Sequence, residues 1–153
     1  MDYYKRTTTK IILGLSLFVL LSCSSDDGAA DVNIEVSSTN LKGEYIITDL
    51  VKPDGTIVQY VGQCGMLKDY IAFDLTRVSY YSYDPNCNNY STYVCNSYEI
   101  IDQRITGCNY IFDGKIRAFT GQRMRLEFYG VIPGNQFDNS IGAAKGFILV
   151  RRE

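Results

Sequence analysis

The sequence predicts an all-β fold, with about eight short antiparallel strands forming one up-and-down barrel or a sandwich. The segment Arg123–Tyr129 alternates strictly between apolar and polar or charged residues, which is the period of a half-buried strand. Turn motifs separate such segments, and the clearest are Pro53-Asp54-Gly55 and the hairpin signal Asp113-Gly114. Short strands joined by hairpins favour these two architectures.

The predicted strands follow one another with turn residues between them. Asp74-Leu75-Thr76 separates the third from the fourth, and Thr120-Gly121-Gln122 precedes the eighth. In chain order they are Leu41–Leu50, Ile57–Val61, Tyr70–Phe73, Arg77–Tyr83, Tyr90–Ile100, Arg104–Phe112, Lys115–Phe119, Arg123–Tyr129 and Gly146–Arg152.

Residues 1–22 are predicted to be a lipoprotein signal peptide. Three cations precede the apolar run Ile11–Leu21, the pattern of a secretory signal, and the run is too short to span a bilayer. The next residues, Leu20-Leu21-Ser22-Cys23, resemble the lipobox of bacterial lipoproteins, in which cleavage precedes the Cys and palmitate-type acyl chains are added to it. We therefore expect Cys23 to be the lipidation site, the alternative being an ordinary secretory signal with a chance Cys.

Residues 23–40 are predicted to be the lipidated N-terminus and a flexible tether, because they are mostly small and polar. The acidic run Ser24-Ser25-Asp26-Asp27 resembles the signal that moves some lipoproteins to the cell surface. We expect an outer-membrane lipid anchor, and the run favours surface display over a domain that faces the periplasm.

The remaining residues, 41–153, are predicted to form one domain that is long enough to bury a hydrophobic core. Removal of residues 1–22 takes away three of 15 cations and one of 17 anions, which leaves 12 and 16 and a net charge of −4. A net negative surface would repel the phosphates of nucleic acid, so we expect no nucleic-acid binding. We expect a monomer whose membrane contact is the lipid anchor.

The chain contains no His, which limits the catalytic and metal-binding chemistry available to it. This absence excludes Ser-His-Asp and Cys-His catalysis and His-ligated zinc. Carboxylates such as Asp69, Asp84 and Asp113 are interpreted as turn residues rather than a facing catalytic pair. We expect no enzymatic activity and no cofactor.

The four cysteines that follow Cys23 are predicted to form two disulfides, as an even number does in an exported domain. The alternative is a metal site with four thiolate ligands, for which the chain lacks paired C-x-x-C spacings. Three pairings are possible. We expect Cys64–Cys87 and Cys95–Cys108, because Cys95 and Cys108 are symmetric about a turn placed at residues 101–102 and would face each other in a hairpin.

Six tyrosines lie close together in the sequence, at positions 80, 81, 83, 90, 93 and 98. Tyr is a common strand residue, but its apolar face and polar tip also suit contacts with carbohydrates or amphiphiles. Neighbours on a strand point to opposite faces, so Tyr80 and Tyr81 are not both in one core. We name Tyr80, Tyr83 and Phe128 as candidate ligand-binding residues.

The order of these features resembles the lipocalin-like domains of small bacterial lipoproteins. Leu41-Lys42-Gly43-Glu44-Tyr45-Ile46-Ile47 opens the domain as that family does, with Tyr45 where the family has Trp, and the last strand ends in Arg. The resemblance implies a closed barrel in which Tyr45 packs beneath Arg151 or Arg152 as a structural anchor. It also implies an apolar interior that binds a small hydrophobic or amphipathic ligand.

Two other functions remain open from the sequence. One is a protein-binding surface, as in a β-barrel lipoprotein that inhibits an enzyme. The other is a structural component of the envelope, facing the periplasm, without a ligand.

Overall fold

The computed structural model describes residues 33–108, 112–132 and 143–153. In these ranges the chain forms one short helix and ten strands, numbered here in chain order. The elements are α1 Ser38–Leu41, β1 Gly43–Val51, β2 Ile57–Gln59, β3 Tyr70–Phe73, β4 Val78–Tyr83, β5 Tyr90–Cys95, β6 Glu99–Ile101, β7 Arg104–Thr106, β8 Gly114–Arg117, β9 Arg123–Ile132 and β10 Ala144–Arg151.

The ten strands belong to a single antiparallel sheet that curls into a half-barrel. The strand order is β5-β4-β3-β1-β10-β9-β8-β7-β6, and β2 pairs with β1. Apart from β2, strands that follow one another in the chain are neighbours in the sheet, and the first strand, β1, pairs with the last, β10. The break in this arrangement lies between β5 and β6, which do not pair within the described residues. The all-β antiparallel prediction is confirmed. The expected closed barrel of about eight strands is not seen in the described part of the chain, where the sheet path ends at β5 and β6.

Strand β1 is the centre of the sheet because it pairs along both edges. Strand β10 runs along one edge. On the other edge, β3 pairs with residues Gly43–Ile46 and β2 with residues Asp49–Val51. The register with β10 shifts between Ile47 and Asp49. Such a shift bends a strand locally, which contributes to the curl of the sheet.

The concave side of the half-barrel is filled by one apolar core. The alternation predicted for β9 is confirmed, since Met124, Leu126 and Phe128 are buried. The apolar residues that alternate along β3, β9 and β10 belong to this packed cluster: Ile71, Phe73, Met124, Leu126, Phe128, Phe147 and Leu149. These side chains fill the space that a barrel ligand would need, as happens in small barrels.

One predicted turn is confirmed and one is wrong. At Pro53-Asp54-Gly55 the Lys52 N–H donates to the Thr56 carbonyl at 2.8 Å, which closes the turn between β1 and β2. The predicted two-residue turn at Asp113-Gly114 is wrong, because Gly114 is the first residue of β8, although β7 and β8 do pair as an antiparallel hairpin. A Cβ at Gly114 would collide with the Glu127 carbonyl oxygen on β9, so this glycine permits close strand approach rather than a turn.

The predicted strand Tyr90–Ile100 is also wrong, because the chain bends after Cys95 and restarts at Glu99. Strands β6 and β7 then form a tight hairpin in which Ile101 pairs with Arg104. The two turn residues, Asp102 and Gln103, both have positive φ, at 49° and 63°. This is the geometry of a two-residue hairpin turn that matches the twist of the strands.

Two disulfides are present, Cys64–Cys87 and Cys95–Cys108, with Cα–Cα distances of 5.2 and 5.6 Å. These are the expected pairs, but the register that suggested the second is wrong. Cys95 is the last residue of β5 and Cys108 follows β7, so neither is in the β6–β7 ladder. The Cys95–Cys108 bridge instead joins the end of β5 to the residues that directly follow β7.

Residues 33–40, which we expected to belong to the tether, contact the domain. The Ile34 N–H donates to the Phe119 carbonyl at 2.7 Å, and Val36 is buried. Ser37 caps α1 by accepting from the Asn40 N–H at 3.2 Å. Residues 33–40 therefore pack against the domain rather than standing apart from it.

Candidate functional site

The strongest candidate site is a cleft along the β4–β5 hairpin, which we call the tyrosine cleft. It has a volume of about 260 Å³, slightly below the roughly 300–1,000 Å³ of most small-molecule pockets, so it fits only a small ligand. Four of its ten lining residues are tyrosines, and the other six have polar or charged side chains. Its lining residues are Gln63, Tyr80, Ser82, Tyr83, Asp84, Asn89, Tyr90, Ser91, Thr92 and Tyr93.

Strand register explains how the cleft forms. Tyr80 lies opposite Tyr93, and Ser82 lies opposite Ser91. Tyr80 and Ser82 alternate with Val78, a core residue, so these pairs are on the concave face. Tyr80 is 5% exposed and is the buried end of the cleft, whereas Tyr93 on the outermost strand is 49% exposed.

A buried carboxylate lies behind the cleft. Asp69 has no solvent exposure, and the Ser82 hydroxyl donates to its Oδ2 at 3.1 Å. The Tyr60 hydroxyl donates to the same oxygen, and the Tyr80 hydroxyl lies 3.4 Å from it. The Tyr83 N–H donates to Oδ1 at 2.9 Å. Asp69 thus holds three residues of the cleft wall, and its burial is compensated by four donors.

This arrangement changes the acid–base behaviour of the tyrosines. Burial is the main cause that raises the pKa of Tyr80, and the charge of Asp69 raises it further. Burial likewise raises the pKa of Tyr60, with the nearby Tyr80 and Asp69 adding to the effect. Both phenols therefore stay neutral and keep their protons to donate. Asp84, at the rim, has a lowered pKa: burial opposes the shift, but hydrogen bonds from Asn89 and neighbouring N–H groups outweigh it.

The opposite face of the same strands carries a second group of aromatic rings. Tyr70 stacks on Tyr81 with ring centroids 4.5 Å apart, and Arg152 lies over Tyr70 at 5.4 Å from its ring centroid. The ring centroid of Tyr90 lies 5.5 Å from that of Tyr81 and 6.1 Å from that of Tyr83. The prediction that Tyr80 and Tyr81 face opposite sides is confirmed, and these rings stiffen the strands that form the cleft.

Of the three candidate ligand-binding residues, the structure brings two together. Tyr80 and Tyr83 both line the tyrosine cleft. Phe128 does not, and this assignment is corrected: its side chain is 2% exposed and packs edge-on against Phe147 with ring centroids 5.0 Å apart. Phe128 is a core residue because its strand faces the filled interior.

The expected structural anchor has the geometry of a cation over a ring. Tyr45 is fully buried and is the register partner of Arg151. The Arg151 guanidinium carbon lies 5.2 Å from the Tyr45 ring centroid, and Nη2 donates to the Tyr45 hydroxyl at 2.7 Å. The same guanidinium covers Gly43, whose φ of 147° and lack of a side chain leave room for it. Arg152 is turned away and pairs with Glu44.

Other expectations concern regions that the structure does not test. Cys23 and the signal peptide lie outside the described residues. Within the described ranges, no helix is long and apolar enough to cross a membrane. In that same part of the chain, no group of three or more Cys, Asp or Glu side chains could hold a metal ion.

Sequence reasoning missed Asp69, Tyr90 and Tyr93 as site residues. The partners of Asp69 are 9 to 14 positions away along the chain, so no local pattern marks it. A usable signal did exist for Tyr93: the tyrosines of β4 and β5 are spaced so that a hairpin across residues 84–89 brings them opposite each other. Comparison with models of known families, with curated proteins and with solved structures finds no match to this chain.

Proposed function

We propose that this chain is a lipid-anchored lipoprotein of the outer membrane whose β-domain binds a small amphipathic ligand in the tyrosine cleft. The observation that carries the binding half is the placement of four tyrosines and several hydroxyls around one open cleft. Rings with polar tips contact the apolar part of a ligand while side-chain hydroxyls and amides orient its polar part.

The location of the ligand differs from that in a lipocalin-like carrier. In such a carrier the ligand would lie among residues such as Met124, Leu126 and Leu149, which here are buried in the packed core. The proposed resemblance to lipocalin-like proteins is therefore a resemblance in strand order, in which most consecutive strands are neighbours and β1 pairs with β10. Binding moves to the open edge of the half-barrel.

The anchoring half rests on the apolar run Ile11–Leu21 followed by Leu20-Leu21-Ser22-Cys23. Cells that express the chain would be fed an alkyne-labelled fatty acid, and the protein would be captured and probed for label. We expect label on the wild type and none on Cys23→Ser. Equal labelling of the two would contradict the anchor.

The binding half is tested with three small amphiphiles of the same shape: choline, the neutral 3,3-dimethylbutan-1-ol and the anion 3,3-dimethylbutanoate. Saturation-transfer NMR on the full chain in detergent, with protein-free micelles as the blank, detects which of them bind. We expect at least one to bind, and Tyr93→Ala to abolish its signal. Tyr129→Ala is the matched control, because Tyr129 is 57% exposed on β9 and is not in the cleft. The proposal is refuted if Tyr93→Ala binds the compound as well as the wild type does, or if none of the three compounds binds.

A second candidate function is a protein-binding surface along β5. This strand ends the sheet path and exposes Tyr90, Tyr93 and Val94. A partner that docked there would protect the β5 amides from hydrogen exchange along the whole strand. A small ligand in the cleft would protect only the end nearer Tyr90, so hydrogen exchange with and without cell extract separates the two functions.

A further inference from the structure

The lining of the tyrosine cleft carries negative charge only. Asp84 belongs to its lining, and none of the ten lining residues is Lys or Arg. Behind the wall, Asp69 is fully buried, and its four hydrogen-bond partners are hydroxyls and one backbone N–H. One carboxylate thus belongs to the lining and a second lies directly behind the wall, and both attract a positive charge in the cleft.

The hydrogen bonds of Asp69 also fix what the wall offers a ligand. Each of the four groups around Asp69 donates to its carboxyl oxygens. The hydroxyl of Ser82 therefore points its proton at Asp69, and Tyr80 is held in the same way. What these hydroxyls present to the cleft is their lone pairs, so the wall accepts hydrogen bonds or faces positive charge.

The aromatic rings add a third feature of the same sign. Tyr80 and Tyr93 are register partners on the concave face, whereas the ring of Tyr90 contacts those of Tyr81 and Tyr83 on the opposite face. The rings available to a ligand on the concave side are therefore those of Tyr80 and Tyr93. The faces of aromatic rings carry partial negative charge and attract a cation within about 6 Å of the centroid. A neutral sugar would use the rings but gain nothing from the carboxylates.

We infer that the tyrosine cleft binds a small organic cation, with an alkylammonium or trimethylammonium group placed against the rings of Tyr80 and Tyr93 and near Asp84. This inference rests on the proposed function above, because it names the ligand class of the same cleft. The rings supply the apolar contact and the cation–π attraction, and the acceptor-rich wall orients any N–H or O–H donors of the ligand.

The test compares the affinities of choline, 3,3-dimethylbutan-1-ol and 3,3-dimethylbutanoate for the full chain by titration calorimetry in detergent. The three differ in charge and hardly in shape. We expect choline to bind at least about tenfold more tightly than the neutral alcohol. Tyr93→Phe, which keeps the ring face, should retain this affinity, and Tyr93→Leu should weaken choline by about 2- to 5-fold without weakening the alcohol equally. Asp84→Asn should also weaken choline selectively.

Each outcome decides something. Equal or tighter binding of the alcohol or the carboxylate, with sensitivity to Tyr93→Leu, overturns the inference and leaves the proposed function standing. Choline binding that is unaffected by Tyr93→Leu overturns the inference by placing the cation elsewhere. No binding by any of the three compounds overturns the inference and the proposed function together. Circular dichroism of each variant verifies the fold; Tyr93 is half exposed, so its replacement leaves the core unchanged.

Discussion

Replacement of Tyr45 tests the structural anchor most directly. The ring is fully buried, meets Phe73 edge-on with centroids 5.8 Å apart and lies under the Arg151 guanidinium. Truncation of a buried aromatic side chain to Ala costs about 3–5 kcal/mol, from lost burial and the cavity that remains. For a domain of this size that is a large share of a total of about 5–15 kcal/mol. We therefore expect Tyr45→Ala to be barely folded.

Tyr45→Phe separates the ring from the hydroxyl. The hydroxyl accepts a hydrogen bond from Arg151 at 2.7 Å, and a bond to a charged group contributes about 1.5–3 kcal/mol. Arg151 keeps its bonds to the carbonyls of Lys42 and Asn40, at 2.9 and 3.2 Å. Because the guanidinium does not lose all its partners, we expect the cost of Tyr45→Phe at the low end of that range.

Urea unfolding followed by tyrosine fluorescence measures both variants, since the chain has no Trp. The matched control is Tyr129→Ala, an exposed tyrosine whose loss should change the free energy of unfolding by no more than about 0.5 kcal/mol. If Tyr45→Ala and Tyr129→Ala unfold at the same urea concentration, the anchor does not exist. If Tyr45→Phe is as unstable as Tyr45→Ala, the hydroxyl rather than ring packing holds the site.

Three further predictions concern the rest of the domain. Replacing Cys95 and Cys108 with Ser should lower the free energy of unfolding by about 3 kcal/mol for a loop of this length, seen as a lower urea midpoint under non-reducing conditions; an unchanged midpoint would contradict it. Burial raises the pKa of Tyr70 and of Tyr98 to about 12, so above pH 10 the folded state keeps protons that the unfolded state releases. The urea midpoint should therefore be constant from about pH 7 to pH 10 and fall between about pH 10 and 12; a flat profile to pH 12 would refute this. Gly146→Ala should lower the free energy of unfolding by about 1–3 kcal/mol, because a Cβ there would collide with a carbonyl oxygen of β9. The control is Gly130→Ala, where no atom lies within 4 Å of the added Cβ. Equal effects of the two substitutions would show that the strands can separate to make room.

Much of the fold follows from local patterns in the sequence. The bounds of β3 and β4 and the start of β9 match the predicted segments closely, because alternation and turn residues act within a few positions. The errors arise where a residue has a non-local reason. Gly114 looks like a hairpin glycine but is required by the backbone of β9 beside it. The bend after Cys95 accompanies a long-range contact, in which the Tyr98 N–H donates to the Thr76 carbonyl at 3.1 Å.

The candidate site was predictable only in part, for the same reason. Tyr80 and Tyr83 were named because tyrosines are dense in that region, and they do line the cleft. Phe128 was named from alternation alone, which gives the face of a strand but not whether that face meets a cavity or other side chains. Asp69 resembles a turn residue in the sequence. Its role depends on donors from β4 and from Tyr60, which only the folded sheet brings together.

The open edge of the half-barrel explains why a binding cleft exists at β5. Tyr80 and Tyr93 are register partners on one face, yet one is core and the other is half exposed. In a closed barrel the next strand would cover Tyr93 and make it a core residue as well. Here the ladder path ends at β5 in the described chain, and the Cys95–Cys108 bridge fastens one end of that strand to the β7 side. A covalent bond in place of a hydrogen-bonded ladder secures β5 and still leaves its tyrosines accessible, so the disulfide prediction and the binding proposal depend on the same feature of the fold.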